Sequence, residues 1–121
     1  MKQILIVDDS QTMRKMVKAS LRDLQDVNFD EAVNGYEAIE KMKVSPFDLM
    51  ILDLNMPDMH GLDVLKFVLD NHQYKSTPIV ILTTKGDDES RKEALEAGAK
   101  CYLTKPFQPK PLSDQIQDLL Q

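Results

Sequence analysis

A chain of 121 residues, 42 % apolar and 29 % charged, is long enough for one domain with a buried core and has the balance of an ordinary globular protein. Its formal charge of −5, from 15 basic and 20 acidic side chains, argues against a nucleic-acid-binding face, and Cys101 as sole cysteine excludes an internal disulfide or a CxxC site. No apolar run is long enough for a bilayer and no signal peptide is visible, so one cytoplasmic domain, residues 1–121, is expected, binding neither nucleic acid nor membrane.

The first predicted strand is Gln3-Ile4-Leu5-Ile6-Val7, ending in Asp8-Asp9-Ser10. Ser10 is a natural N-cap for a helix whose apolar stripe is Met13, Val17, Leu21 and Leu24. Residues Val27 to Val33 alternate in part and predict a more polar strand at a sheet edge. Asn34-Gly35 reads as a turn before a short helix carrying Ala38, Ile39 and Met42, which Ser45-Pro46 ends. Leu49-Met50-Ile51-Leu52 predicts a strand buried on both faces, closed by the carboxylate of Asp53. Shortly after it, Pro57 is expected to stop regular pairing.

A helix with Leu62, Leu65, Val68 and Leu69 on one side follows Gly61, and Pro78 to Thr83 is a fourth, continuous apolar strand. Gly86-Asp87-Asp88 reads as a turn and cap for a helix with Ala94 and Leu95 inward, stopping near Gly98. Lys100 to Thr104 is the fifth strand, with Cys101 a small buried hydrophobe and Tyr102 in the core. Pro109 and Pro111 suit the first turn of a last helix bearing Leu112, Ile116, Leu119 and Leu120. Met13, Met16, Met42 and Met50 are expected to fill the core. Strand and helix thus alternate five times, which implies an α/β fold with a parallel sheet and helices on both faces.

In such a sheet, ligands bind beyond the carboxyl ends of the strands. There the sequence places Asp8 and Asp9, Asp53, Thr83 and Lys105. Taken singly, each has an ordinary explanation as a cap, turn former, strand residue or solvated charge. Taken together, they gather three carboxylates and one ammonium at a single edge. Two carboxylates about 4 Å apart repel by roughly 4 kcal/mol at an effective dielectric near 20. Lys105 offsets one charge, and a divalent hard cation balances the remaining two; carboxylate oxygens suit Mg²⁺. The acidic pair would repel a bare phosphate, and no Walker-type or dinucleotide glycine motif occurs. A carboxylate beside such a metal is a competent nucleophile toward phosphorus.

The segments Ile6 to Arg14, Asp53-Leu54-Asn55-Met56-Pro57, Ile81-Leu82-Thr83 and Lys105-Pro106-Phe107 closely resemble response-regulator receiver domains of the single-domain, chemotaxis type, and the resemblance spans the whole chain. It implies a flavodoxin-like (βα)5 fold with sheet order 2-1-3-4-5. It also implies that Asp53 is the phosphoacceptor, that Asp8, Asp9 and Asp53 with the backbone carbonyl of Asn55 hold Mg²⁺, and that Lys105 pairs with the phosphoryl group. Thr83 would turn toward that group, Tyr102 would change rotamer in concert, and the peptide bond before Pro106 would be cis. The implied partners are a histidine kinase and a downstream protein docking on helix four, strand five and helix five, and a monomer is expected. Thr84 stands where a smaller residue is common, and its branched side chain is expected to crowd the phosphoryl group. Lys85 and Met56 lie beside the expected pocket. His60 replaces a frequent acidic residue and reads as a surface residue.

Beside this phosphorylation switch, acting in motility or as a phosphorelay intermediate, stand two rivals. A metal-dependent phosphohydrolase would use Asp53 as nucleophile but would want a second acid where Asn55 stands. A pseudo-receiver would bind partners without phosphorylation, against which the intact acidic set argues.

Overall fold

A computed structural model describes residues 1–56, 59–74 and 76–121. Pro57, expected to stop pairing, lies outside the described residues. The elements run β1 (Lys2–Val7), α1 (Gln11–Ser20), β2 (Val27–Ala32), α2 (Gly35–Val44), β3 (Leu49–Leu52), α3 (Gly61–Asp70), β4 (Ile79–Thr83), α4 (Asp88–Glu96), β5 (Cys101–Thr104) and α5 (Pro109–Leu120). The five strands form one parallel sheet in the order β2-β1-β3-β4-β5, as the resemblance implied.

Because side chains alternate along a strand, each central strand feeds two cores at once. Leu5 and Val7 of β1, Met50 and Leu52 of β3, and Ile79 and Ile81 of β4 join Ala38 and Met42 of α2, Val64, Leu65 and Val68 of α3 and Ala94 of α4. The residues between them, Ile4, Ile6, Leu49, Ile51, Val80 and Leu82, join Val17 of α1 with Leu112 and Ile116 of α5. Each fully buried Leu or Ile contributes about 1.5–3 kcal/mol, and these lie chiefly in Ile4–Val7 of β1 and along β3 and β4, buried on both faces. The two edge strands are more exposed: β2 alternates half-buried and exposed positions, and Cys101 and Leu103 of β5 are half-buried. Burial raises the Cys101 thiol above its usual range, which favours the protonated form.

Local signals largely act as expected. Ser10 caps α1 by accepting from Met13 N at 3.2 Å, and Asp87 caps α4 by accepting from Ser90 N at 2.9 Å. Pro109 opens α5, and Gly98 ends the α4 segment at φ 114°, where a side chain would be strained. Asn34 does more than turn the chain, since its Oδ1 accepts from Glu37 N at 2.8 Å and caps α2.

Some expectations fail. Met16 is 49 % exposed, because it falls outside the stripe of Val17 and Leu21 and faces solvent. Leu95 is 37 % exposed, since Ala94 is the one buried residue of α4. Leu21 and Leu24 lie beyond the end of α1, on the turn into β2, and Val33 lies past the end of β2. No described helix is long and apolar enough to cross a membrane.

Candidate functional site

Strands β1 and β3 end level with each other, and β4 runs two residues further, to Thr83. Val7 pairs with Leu52, and Leu52 with Ile81, so the residues leaving these strands emerge at one edge. Asp8 and Asp53 are each 5 % exposed and Thr83 is fully buried, while Asp9 is exposed at the rim. Lys105 reaches this edge from beyond β5. Its main chain is fixed by Lys105 N donating to Thr83 O at 2.8 Å, and the Lys105–Pro106 bond is cis, as the resemblance implied.

The Lys105 ammonium lies 2.7 Å from Asp8 Oδ2 and 3.3 Å from Asp53 Oδ2, with all three side chains nearly buried. The second oxygen of each carboxylate takes a backbone donor: Ser10 N at 2.9 Å from Asp8 Oδ1 and Asn55 N at 3.1 Å from Asp53 Oδ1. One oxygen each from Asp8, Asp9 and Asp53 lies within 4.8 Å of the others. Three hard oxygen donors converging at that spacing fit a hard divalent cation such as Mg²⁺. One ammonium against three carboxylates leaves two negative charges, which such an ion balances.

The remaining expected residues sit around this cluster. Thr83 Oγ1 accepts from Lys85 N at 3.3 Å. Tyr102 is 5 % exposed, and its hydroxyl donates to the carbonyl of Lys85. Burial, with smaller contributions from Asp87 and Asp53, raises its phenol above the usual range. Thr84 and Lys85 are exposed and Met56 is buried. His60 is exposed at the N-cap position of α3, where it makes no side-chain cap bond. It helps line a cleft of about 210 Å³ with Leu54, Leu62, Asp63, Lys85, Ser90 and Glu93. That cleft lies beside the acidic cluster, and neither Asp53 nor Lys105 lines it.

Two residues that position the site were not singled out from the sequence. Arg14 is 8 % exposed; its Nη1 donates to the carbonyl of Asp8 at 2.7 Å and its Nε to Glu31 Oε1 at 2.9 Å. Lys18 donates to Glu31 Oε2 at 2.9 Å, and Lys18 first, then Arg14, hold the Glu31 carboxyl below the usual carboxylate range. The sequence carries only the spacing of Arg14, three from Val17 on the inward face of α1, which does not reveal the carbonyl partner. The second residue is Gly61. A Cβ there would lie 2.3 Å from Asp53 O and 2.7 Å from Leu54 Cα, so the start of α3 seats directly on the backbone that carries Asp53.

Residues 4–117 match the model of the response regulator receiver domain. The chemotaxis protein CheY1 of Helicobacter pylori is 39 % identical over 119 residues, covering 98 % of this chain and 96 % of that protein. The solved structure of Vibrio cholerae chemotaxis protein CheY4 superposes with a TM-score of 0.89 at 40 % identity, covering 99 % of each chain. The Mn²⁺-bound form of response regulator Rcp1 superposes with a TM-score of 0.84 at 30 % identity, covering 98 % of this chain and 91 % of that one.

Proposed function

The chain belongs to the response regulator receiver domain family, and on that premise we propose that it is a phosphorylation switch that accepts a phosphoryl group from a histidine kinase on Asp53. Receiver domains bind Mg²⁺ at an acidic cluster, and here Asp8, Asp9 and Asp53, with the backbone carbonyl of Asn55, would hold it. Bound there, the ion would neutralise charge on the transferring phosphoryl oxygens. The reading is carried by one observation: a single ammonium, Lys105, bridges two buried carboxylates from different strands with a third within reach.

The protein's own side chains divide the work. Asp53 Oδ attacks phosphorus as the bond to the donor's imidazole nitrogen breaks, and the imidazole leaves. Lys105 turns from the carboxylates toward the equatorial oxygens and offsets the charge that the acyl phosphate adds, about one unit or less. Thr83 supplies a hydroxyl to the same oxygens by giving up its contact with Lys85 N. Arg14 and Gly61 hold the backbones of Asp8 and Asp53 while this happens. Phosphorylation then biases Tyr102 and the face made by α4, β5 and α5 toward one of two arrangements. That face meets a separate protein, and the chemotaxis relatives favour an output in motility over a phosphorelay.

Incubation with Mg²⁺ and acetyl phosphate, read by mass spectrometry, tests this. The wild type is expected to gain one labile phosphoryl group and Asp53→Asn none. Many turnovers per chain would instead indicate a phosphohydrolase, and an unlabelled wild type an interaction module alone.

A further inference from the structure

The contacts that hold Tyr102 end on a charged side chain to which nothing above gives a role. We propose that Arg91 of α4 is a positioning residue that keeps Tyr102 in its buried conformation and so sets the resting balance of the switch. This deepens the reading above and rests on Tyr102 being a switch residue.

Tyr102 is gripped at three points. Its hydroxyl donates to the Lys85 carbonyl, its own carbonyl accepts from Arg91 Nη1 at 3.3 Å, and its ring lies under the same guanidinium at 5.8 Å from the ring centroid. The two Arg91 contacts differ in kind. The Tyr102 carbonyl belongs to the main chain of β5 and does not travel when the ring rotates. The hydrogen bond therefore anchors the guanidinium over β5, and the cation–π contact exists only while the ring is buried beneath it. An outward rotation forfeits that contact and the hydroxyl's bond together.

Arginine is the residue suited to this place, because its planar fork donates in its own plane while presenting its face to a ring; lysine cannot do both. Among the described residues Arg91 enters no ion pair, so no carboxylate competes for it. The link back to the acidic cluster is short. Lys85 takes the Tyr102 hydroxyl on its carbonyl and donates its N–H to Thr83 Oγ1. A push on the ring by Arg91 is thus felt two hydrogen bonds away at Thr83.

Arg91 is exposed, so its removal leaves no cavity in the core. The test uses protein carrying ¹³C-labelled tyrosine with Tyr36→Phe and Tyr74→Phe, which leaves Tyr102 as the only labelled ring. NMR without Mg²⁺ or phosphoryl donor reads the ratio of buried to solvent-facing ring. Arg91→Ala is expected to lower that ratio about five- to tenfold, and Arg91→Lys by less, with the melting temperature little changed. Arg91→Gln keeps a planar donor on a shorter stem but loses the charge, and is expected to behave like alanine. A ratio unchanged in both the alanine and glutamine variants would overturn the proposal. Acetyl phosphate labelling of the wild type is scored separately: its failure removes the phosphoacceptor reading, while the ring ratio alone decides the role of Arg91.

Discussion

Lys105 and Glu31 show how differently placed charges matter at the scale of single residues. Lys105 is enclosed, and removing it would strand two buried carboxylates against each other. Glu31 is partly exposed and works through Arg14, whose other hand holds the Asp8 carbonyl. Because its folded carboxyl is depressed, Glu31 adds stability above the ordinary carboxylate range, and that contribution disappears as the pH falls through the depressed value. Wild type is therefore expected to lose more melting temperature than Glu31→Gln as the pH is taken from neutral to below the ordinary carboxylate range; parallel pH curves would contradict this. Thr84 carries its branched side chain exposed on the loop just past Thr83. If it limits water access to a phosphorylated Asp53, Thr84→Ala dephosphorylates severalfold faster, and an unchanged lifetime by mass spectrometry ends the idea. Asp8, Asp53 and Lys105 were legible in the sequence because each stands where an apolar run stops. Arg14 was not, because an arginine on an apolar helix face looks like a break in the pattern until its carbonyl partner is known.

Among the elements, α3 is the one tied most directly to the site. Its first residue, Gly61, packs against the backbone of Asp53 and Leu54, and Gly61 N donates to Leu54 O at 3.2 Å. Alanine there would gain up to about 1 kcal/mol of helix propensity. It would also drive a methyl into main chain that cannot yield as a side chain could. The clash wins, and Gly61→Ala is expected to destabilise by about 1–3 kcal/mol in urea titration and to slow labelling of Asp53. Wild-type stability and labelling rate together would show that the seat is unimportant. The strands were readable as elements because four or five consecutive apolar residues leave few alternatives in a chain with regular helical stretches between them. Helix faces were readable only where the stripe was wide. Leu95 and Met16 were misplaced because α4 buries one alanine and α1 a narrow line of residues, and a hydrophobic count cannot register a buried face that small.

At the scale of the molecule, the order of the strands was not written in any periodicity. Alternation of β and α implies a parallel sheet, but which strand neighbours which followed from the resemblance, and the structure has that order. The same holds for the conformation of Tyr102, which depends on contacts from β4–α4 and α4 that no local pattern encodes. If Tyr102 carries the signal outward, Tyr102→Ala should shrink the amide shift changes in α4, β5 and α5 that acetyl phosphate induces, while Asp53 is still labelled. Wild-type shift changes in that variant would place the signal elsewhere.

Strand β4 has its odd and even residues sunk in opposite layers, with every position from Ile79 to Thr83 out of reach of solvent. A shaft clamped from both sides can neither slide nor bow at little cost. Displacement at its tip would fall on what the tip holds, the four residues from Thr84 to Asp87 before α4 and, through Thr83 O, the main chain of Lys105. A swing of the Thr83 hydroxyl would thus reach the mounting of α4 by way of Lys85 before it reached the body of the sheet.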